Sequence, residues 1–256
     1  MKYKTFLVFL IFLGIYTFKL PSSFYPDTDF TRDMYEMIKI AQGKMTLIGP
    51  ALRVGIFAGP YYYYLFTPIL ALAKYDTNFV LYFNALLFSA ALGFLYWRHT
   101  KILPVAITGL SNFYLLSARH PGNGYSYLPF LLIFVIALFL DKDFGKVKMV
   151  FLGLLAGIIV NFHPLTIIPI IISVLYNWKR LTYKLLFGLT FSATFLPLLL
   201  FEYKHSFVIS KGFTLIKTYT FSPHYIYSFS LLFTFLVVLF LHKNRQRLLM
   251  SVWLTG

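Results

Sequence analysis

The stretch TNFVLYFNALLFSAALGFLYW, residues 77–97, carries no charged side chain and runs directly into a basic turn at Arg98 and Lys101. A helix that crosses a bilayer needs about 20 predominantly apolar residues. This run supplies them, and its basic end is the kind that stays in the cytoplasm. Comparable runs lie at Thr5–Phe18 and at roughly 102–118, 125–140, 148–161, 164–178, 184–201 and 225–241, and another begins at Leu248. Together they predict an all-α polytopic membrane protein, a bundle of about eight complete transmembrane helices plus the start of a ninth. Residues 1–256 read as a single transmembrane domain, with neither a linker nor an internal repeat.

Composition agrees. Of 256 residues, 59% are hydrophobic and 12% charged, and the mean hydropathy is +0.74, whereas a water-soluble domain carries roughly a quarter charged residues. Cysteine is absent, which excludes disulfides, thiolate catalysis and cysteine-based metal sites. The net charge of +15 points to topology rather than to nucleic acid. Thirteen of the 23 basic residues fall in five short clusters between apolar runs: Lys2/Lys4, Arg98/Lys101, Lys142/Lys146/Lys148, Lys179/Arg180/Lys184 and Lys243/Arg245/Arg247.

Charge parity sets the orientation. Lys2 and Lys4 keep the N-terminus in the cytoplasm, and no small-x-small cleavage site follows the first run before Pro21, so a retained signal anchor is expected. The segment Tyr61–Ala73 decides the rest. Counting it as a span would put the later basic clusters outside. It holds only about thirteen residues against the ~20 needed, and it opens with four tyrosines between Pro60 and Pro68. It is therefore expected to be an interfacial or re-entrant helix, which places all five clusters inside. The outer loops are then 21–76, 119–124, 161–163 and 202–224.

Acidic residues number eight, and four of them, Asp27, Asp29, Asp33 and Glu36, lie within ten residues of each other in the first outer loop. Thr28 and Asp29 are good caps for a surface helix over about 30–42, with Gly43 as its stop. Phe30, Met34, Met37, Ile38 and Ala41 give that helix an apolar stripe. Two readings of the acids stand. In one, Asp29 caps the helix while Asp33 and Glu36 form a wet face. In the other, a carboxylate is held at the lipid boundary to take a proton from an acceptor. Asp27-Thr28-Asp29 is also a D-x-D tripeptide whose hard oxygens suit a divalent cation. No three-residue His/Asp/Glu ligand set with recognisable spacing accompanies it, so no metal is assigned.

The run Asp29-Phe30-Thr31-Arg32-Asp33, a helix, Gly43, Gly49-Pro50 and Gly59-Pro60 followed by Tyr61 to Tyr64 resembles the first outer loop of membrane glycosyltransferases that take sugars from polyprenyl phosphates. That superfamily, of GT-C fold, includes the protein O-mannosyltransferases, the lipid A aminoarabinose transferases and many bacterial relatives. The likeness extends to the inner turn Trp97-Arg98-His99-Thr100-Lys101 and the outer loop Ser117 to Asn123. It is looser at Phe162-His163-Pro164 and Pro197 to His205. The resemblance implies a bacterial member whose C-terminal part is missing.

It also implies an inverting glycosyltransferase at the outer face of the inner or plasma membrane. The donor would be a polyprenyl-phosphate sugar and the acceptor a glycan, lipid or protein, with no nucleic-acid partner. The family's catalytic aspartate maps onto Asp29, because Thr31-Arg32 follows at the family's spacing; Asp27 is second and Asp33 supports. Two departures stand out: Phe30 where many members have Glu, and Asn123 where many carry a second aspartate. Arg119, Lys204, His205, Arg53 and His163 are candidates for the donor phosphate, each with a plain alternative as an interfacial or capping side chain. Glu202, Tyr61 and Tyr62 are supporting candidates. The alternatives from other classes are a polytopic transporter or lipid flippase, and a non-catalytic assembly subunit.

Overall fold

The computed structural model describes residues 2–53, 56–139, 145–168, 170–171 and 181–215. Their regular secondary structure is helical apart from one small hairpin. In chain order they form α1 (Lys2–Thr17), α2 (Leu20–Ser23), α3 (Thr28–Ala41), β1 (Ala51–Arg53), β2 (Ile56–Phe57), α4 (Tyr61–Leu72), α5 (Asn78–His99), α6 (Ile102–Leu110), α7 (Asn112–Arg119), α8 (Leu128–Phe139) and α9 (Lys146–Phe162). A 3₁₀ turn at Pro164–Thr166 follows, then α10 (Leu181–Ala193), α11 (Leu196–Lys204) and α12 (Val208–Leu215). The two strands pair antiparallel.

Among the described residues only α5 is by itself long and apolar enough to cross a membrane, and α10 and α11, bent by 47° at their junction, make a second if taken as one span. One expectation changes in detail. The run 102–118 is broken at Ser111 into α6 and α7. There the Ser111 hydroxyl turns back to Thr108 O (2.8 Å) and accepts from the Tyr114 N–H. The expected segment 225–241, residues 248–256 and part of 164–178 lie outside the described residues.

One continuous apolar core runs through the bundle. α1 packs on α5, burying Val8, Phe12 and Tyr16 at a spacing of four, and Tyr16 donates to Gly109 O (2.9 Å). α9 and α10 approach most closely where side chains are smallest. A Cβ at Gly153 would sit 2.0 Å from Thr190 Oγ1, and one at Gly157 would sit 2.2 Å from Thr194 Oγ1. Small residues let helix backbones meet in this way.

α4 is inserted into this core. Its 12 residues span about 18 Å, too short to cross a bilayer, and Tyr62, Tyr63, Phe66, Thr67 and Leu70 are buried. Consecutive helical residues point about 100° apart, so its four tyrosines fan outward to four elements. Tyr61 donates to Thr194 O at the α10–α11 bend (2.8 Å), Tyr62 to Pro121 O beyond α7 (3.4 Å), Tyr63 to Asp33 on α3 (3.1 Å) and Tyr64 to Thr46 O. The tyrosine run therefore fastens the first loop to the bundle. Tyr62 is fully buried and has no free face for a sugar.

Candidate functional site

The acidic cluster is organised by the first turn of α3. Its N-cap is Asp27, not Thr28 or Asp29, and the helix begins at Thr28. Asp27 Oδ1 accepts the Phe30 N–H at 2.7 Å, satisfying one of the orphan donors that open every helix. The other carboxylate oxygen lies 3.2 Å from His120 Nε2. This contact ties the loop after α7 to the start of α3, and the His120 ring packs between Phe24 and Tyr125.

Asp29 stands in the first turn with its side chain 71% exposed, and Arg32 Nη1 donates to its Oδ1 at 2.8 Å. The rest of the Arg32 guanidinium faces inward. Nε and Nη2 both donate to Asp33 Oδ1, at 3.0 and 2.8 Å. The Tyr63 hydroxyl donates to that same oxygen. Asp33 is completely buried, and its Oδ2 is buried without a hydrogen-bond partner.

The wet-face reading of Asp33 thus gives way. The buried residues of α3 are Phe30, Asp33, Met34, Met37 and Ile40, a face turned by roughly 50° from the expected stripe on a 3.6-residue period. The turn follows from packing: α3 lies against α4, and Tyr63 supplies a polar partner on that flank. Glu36 stays partly exposed and pairs with Lys39 at 2.7 Å.

Burial pushes the Asp33 carboxyl up to about 6, although the hydrogen bonds and charge of Arg32 and the Tyr63 hydroxyl pull it down. Desolvation opposes the charge of Arg32 as well, but the hydrogen bond and charge of Asp33 and the charge of Asp29 outweigh it and hold the guanidinium above its ordinary value.

The phosphate candidates fall in different places. Arg119 caps the end of α1: its Nη1 donates to Tyr16 O and Phe18 O, both at 3.0 Å, and its Nη2 to Ser23 Oγ. Helix carbonyls left open at a C-terminus attract cations, so this contact has a structural cause of its own. His163 caps α9 against Tyr127, and burial lowers its pKa, which disfavours the imidazolium. Lys204 and His205 are exposed at the α11–α12 corner, with His205 against Phe201. Arg53 ends β1, and its side chain lies outside the described residues. Asn123 sits in the turn between α7 and α8.

Glu202 accepts from the Ile209 and Ser210 N–H groups (2.6 and 2.9 Å) and from the Ser210 hydroxyl. It folds the corner rather than facing Lys204 or Arg119. Burial raises its pKa, but these hydrogen bonds and Lys211 outweigh that and hold it below its ordinary value.

Asp27 and Asp29 do not converge on a shared cation position. Both oxygens of Asp27 are engaged, and Asp29 is paired with Arg32. Among the described residues no group of three or more His, Asp or Glu side chains gathers as a metal site would require.

No family model, curated protein or solved structure matches this chain.

The structure therefore brings Asp27, Asp29 and Asp33 to one end of the bundle, beside α4 and the loop after α7. It adds Arg32, Tyr63 and His120, which sequence reasoning did not place in the site. Arg32 carried a signal for one of its contacts, since a cation three residues after an acid can reach it on a helix; its grip on the adjacent Asp33 is not one that helix spacing announces. The Tyr63 and His120 contacts span 30 residues and a separate loop, and nothing local announces them.

Proposed function

We propose that the chain is a polytopic membrane glycosyltransferase of GT-C type. It would move a sugar from a polyprenyl-phosphate donor to an acceptor at the outer membrane surface, with Asp29 as base. The observation that carries this reading is the exposed Asp29 carboxylate paired with Arg32 at the N-terminus of a helix that is otherwise packed into the bundle. In the reaction the acceptor hydroxyl gives its proton to Asp29 as its oxygen attacks the anomeric carbon. The bond from that carbon to the phosphate oxygen breaks, and polyprenyl phosphate leaves with inversion at carbon. Lys204, His205 and Arg53 are the outer cations proposed to meet the leaving phosphate.

Outward-facing side chains support the membrane setting. On α1 the exposed residues include Phe6, Leu7, Leu10, Ile11 and Ile15, and on α10 Leu181, Leu185 and Leu189. In water such faces would be polar; in lipid they are the expected solvent-facing surface. Of the helices outside the long α5, α1 has 16 residues and α9 has 17, about 24–26 Å. Local bilayer thinning accommodates spans of that length.

The bent α10–α11 pair favours a transporter instead, since broken helices line transport sites. Supplying membranes with radiolabelled polyprenyl-phosphate sugars and comparing wild type with Asp29→Asn separates the readings. Transfer that the substitution leaves intact would remove Asp29 as the base. Solute uptake without any sugar transfer would favour the transporter.

A further inference from the structure

We infer that Asp33 is a positioning residue: a buried carboxylate, steadied by Tyr63, that clamps the Arg32 guanidinium and through it fixes the Asp29 carboxylate. The catalytic meaning of that placement rests on the transferase reading; the placement itself does not.

The argument turns on what an exposed ion pair can do alone. Asp29 and Arg32 are an i, i+3 pair with side chains 71% and 33% exposed. Such pairs are weak, because water screens the charges and two long side chains must give up rotamer freedom. Left to itself the pair would form only part of the time. Here Arg32 is not left to itself. Two of its nitrogens grip one oxygen of a side chain that cannot move, since Asp33 has no exposed surface and Tyr63 holds the same oxygen. The entropy of ordering Arg32 is lost on folding, and Nη1 is left aimed outward at Asp29 Oδ1. Preorganisation of this kind is how a buried group controls an exposed one.

The asymmetry of Asp33 points the same way. One oxygen takes three hydrogen bonds and the other takes none, although both are buried. A carboxylate in such a place is a poor stabiliser of the fold, and an uncharged side chain of the same shape would serve packing better. What the charge contributes is the direction of Arg32.

The test uses the full chain in detergent micelles and labels carboxyls with a water-soluble carbodiimide and an amine, read residue by residue by peptide mass spectrometry. Asp76, remote in sequence and in a different turn, is the internal reference. With Asp33→Asn the clamp loosens, and Asp29 labelling is expected to rise about two- to threefold, as for a pair released to solvent-screened strength, while Asp76 is unchanged. Tyr63→Phe removes a single hydrogen bond and is expected to act in the same direction, less strongly. Should Asp33→Asn unfold the chain, all carboxyls would react faster together, and Tyr63→Phe then decides. Asp29 labelling at the wild-type rate in a folded variant overturns the inference.

A second readout follows turnover. If wild type transfers sugar, Asp33→Asn should lower kcat by tenfold or more with donor KM little changed. An unchanged kcat would refute the positioning role. If wild type transfers no sugar, the functional reading fails while the labelling result still decides the clamp.

Discussion

Replacing Asp33 by asparagine should make the protein more stable at neutral pH, although it removes a buried ion pair. The magnitude comes from the carboxyl itself. Burial moves it from an ordinary value of 3.8 up to about 6. At 1.36 kcal/mol per pKa unit, that gap of about two units corresponds to roughly 3 kcal/mol. The direction follows from linkage. A carboxyl whose folded value is raised favours folding in its protonated form. The stabilisation is complete below about pH 3.8 and is lost as pH rises through about 6. At pH 7.5 wild type therefore carries an ionised Asp33 at a cost of up to about 3 kcal/mol relative to its protonated state.

Asparagine is the closest neutral stand-in for that protonated acid. Its oxygen can still accept from Tyr63 and, without the charge that fixes the guanidinium, more weakly from Arg32. The expected result is a rise of several degrees in Tm for Asp33→Asn at pH 7.5, given about 2–4 °C per kcal/mol for a chain of this size. Thermal unfolding in detergent from pH 3.5 to 8 would also show wild type losing stability mainly between about pH 4 and 6, with the variant lacking that loss. Equal or lower stability at pH 7.5, together with the wild-type pH slope, would refute the reasoning. The ion pair would then have to be a net stabiliser.

Other substitutions probe neighbouring features. Asp27→Ala removes both the N-cap of α3 and the His120 contact and should cost about 1 kcal/mol or more, while Asp27→Asn keeps the cap; far-ultraviolet circular dichroism on heating would separate them. Gly59→Ala would place a Cβ 1.8 Å from Asn161 Oδ1, forcing the hairpin off α9 at a cost of roughly 1–3 kcal/mol. Gly14→Ala, with nothing within 4 Å, should leave the thermal midpoint nearly unchanged or slightly raised. Arg119→Lys loses the fork that joins the Tyr16 and Phe18 carbonyls, held by Nη1, to Ser23 Oγ, held by Nη2, and should loosen the end of α1, seen as faster amide hydrogen exchange there.

Helix positions were readable from the sequence because apolar runs and turn signals are local. The surface helix expected over 30–42 appears as Thr28–Ala41, and the tyrosine-led segment expected over 61–73 appears as Tyr61–Leu72. What failed was anything that depended on a distant partner. Nothing near Asp27 reveals that it, rather than its two neighbours, meets both the Phe30 N–H and His120. Nor does Arg119, a cation in an outer loop, disclose that the carbonyls at the end of α1 lie beside it. Glu202 read as a partner for nearby cations, yet its oxygens fold back onto the N–H groups of α12.

Asp33 shows why the misses cluster where chemistry is proposed. Periodicity assigns a residue to a face by asking which stripe is most apolar, and on α3 that stripe leaves Asp33 outside. The fold instead turns the helix toward α4 and takes the carboxylate in. That outcome is stable only because Tyr63 and Arg32 arrive on the same oxygen. A buried charge without them would be far costlier. Local pattern and tertiary arrangement disagree at this residue, and such disagreements are expected at working sites. The same disagreement separates the two aspartates. Asp29 obeys the local pattern and faces solvent, where an acceptor can reach it. Asp33 breaks the pattern, and its burial gives Arg32 a fixed point from which to hold Asp29.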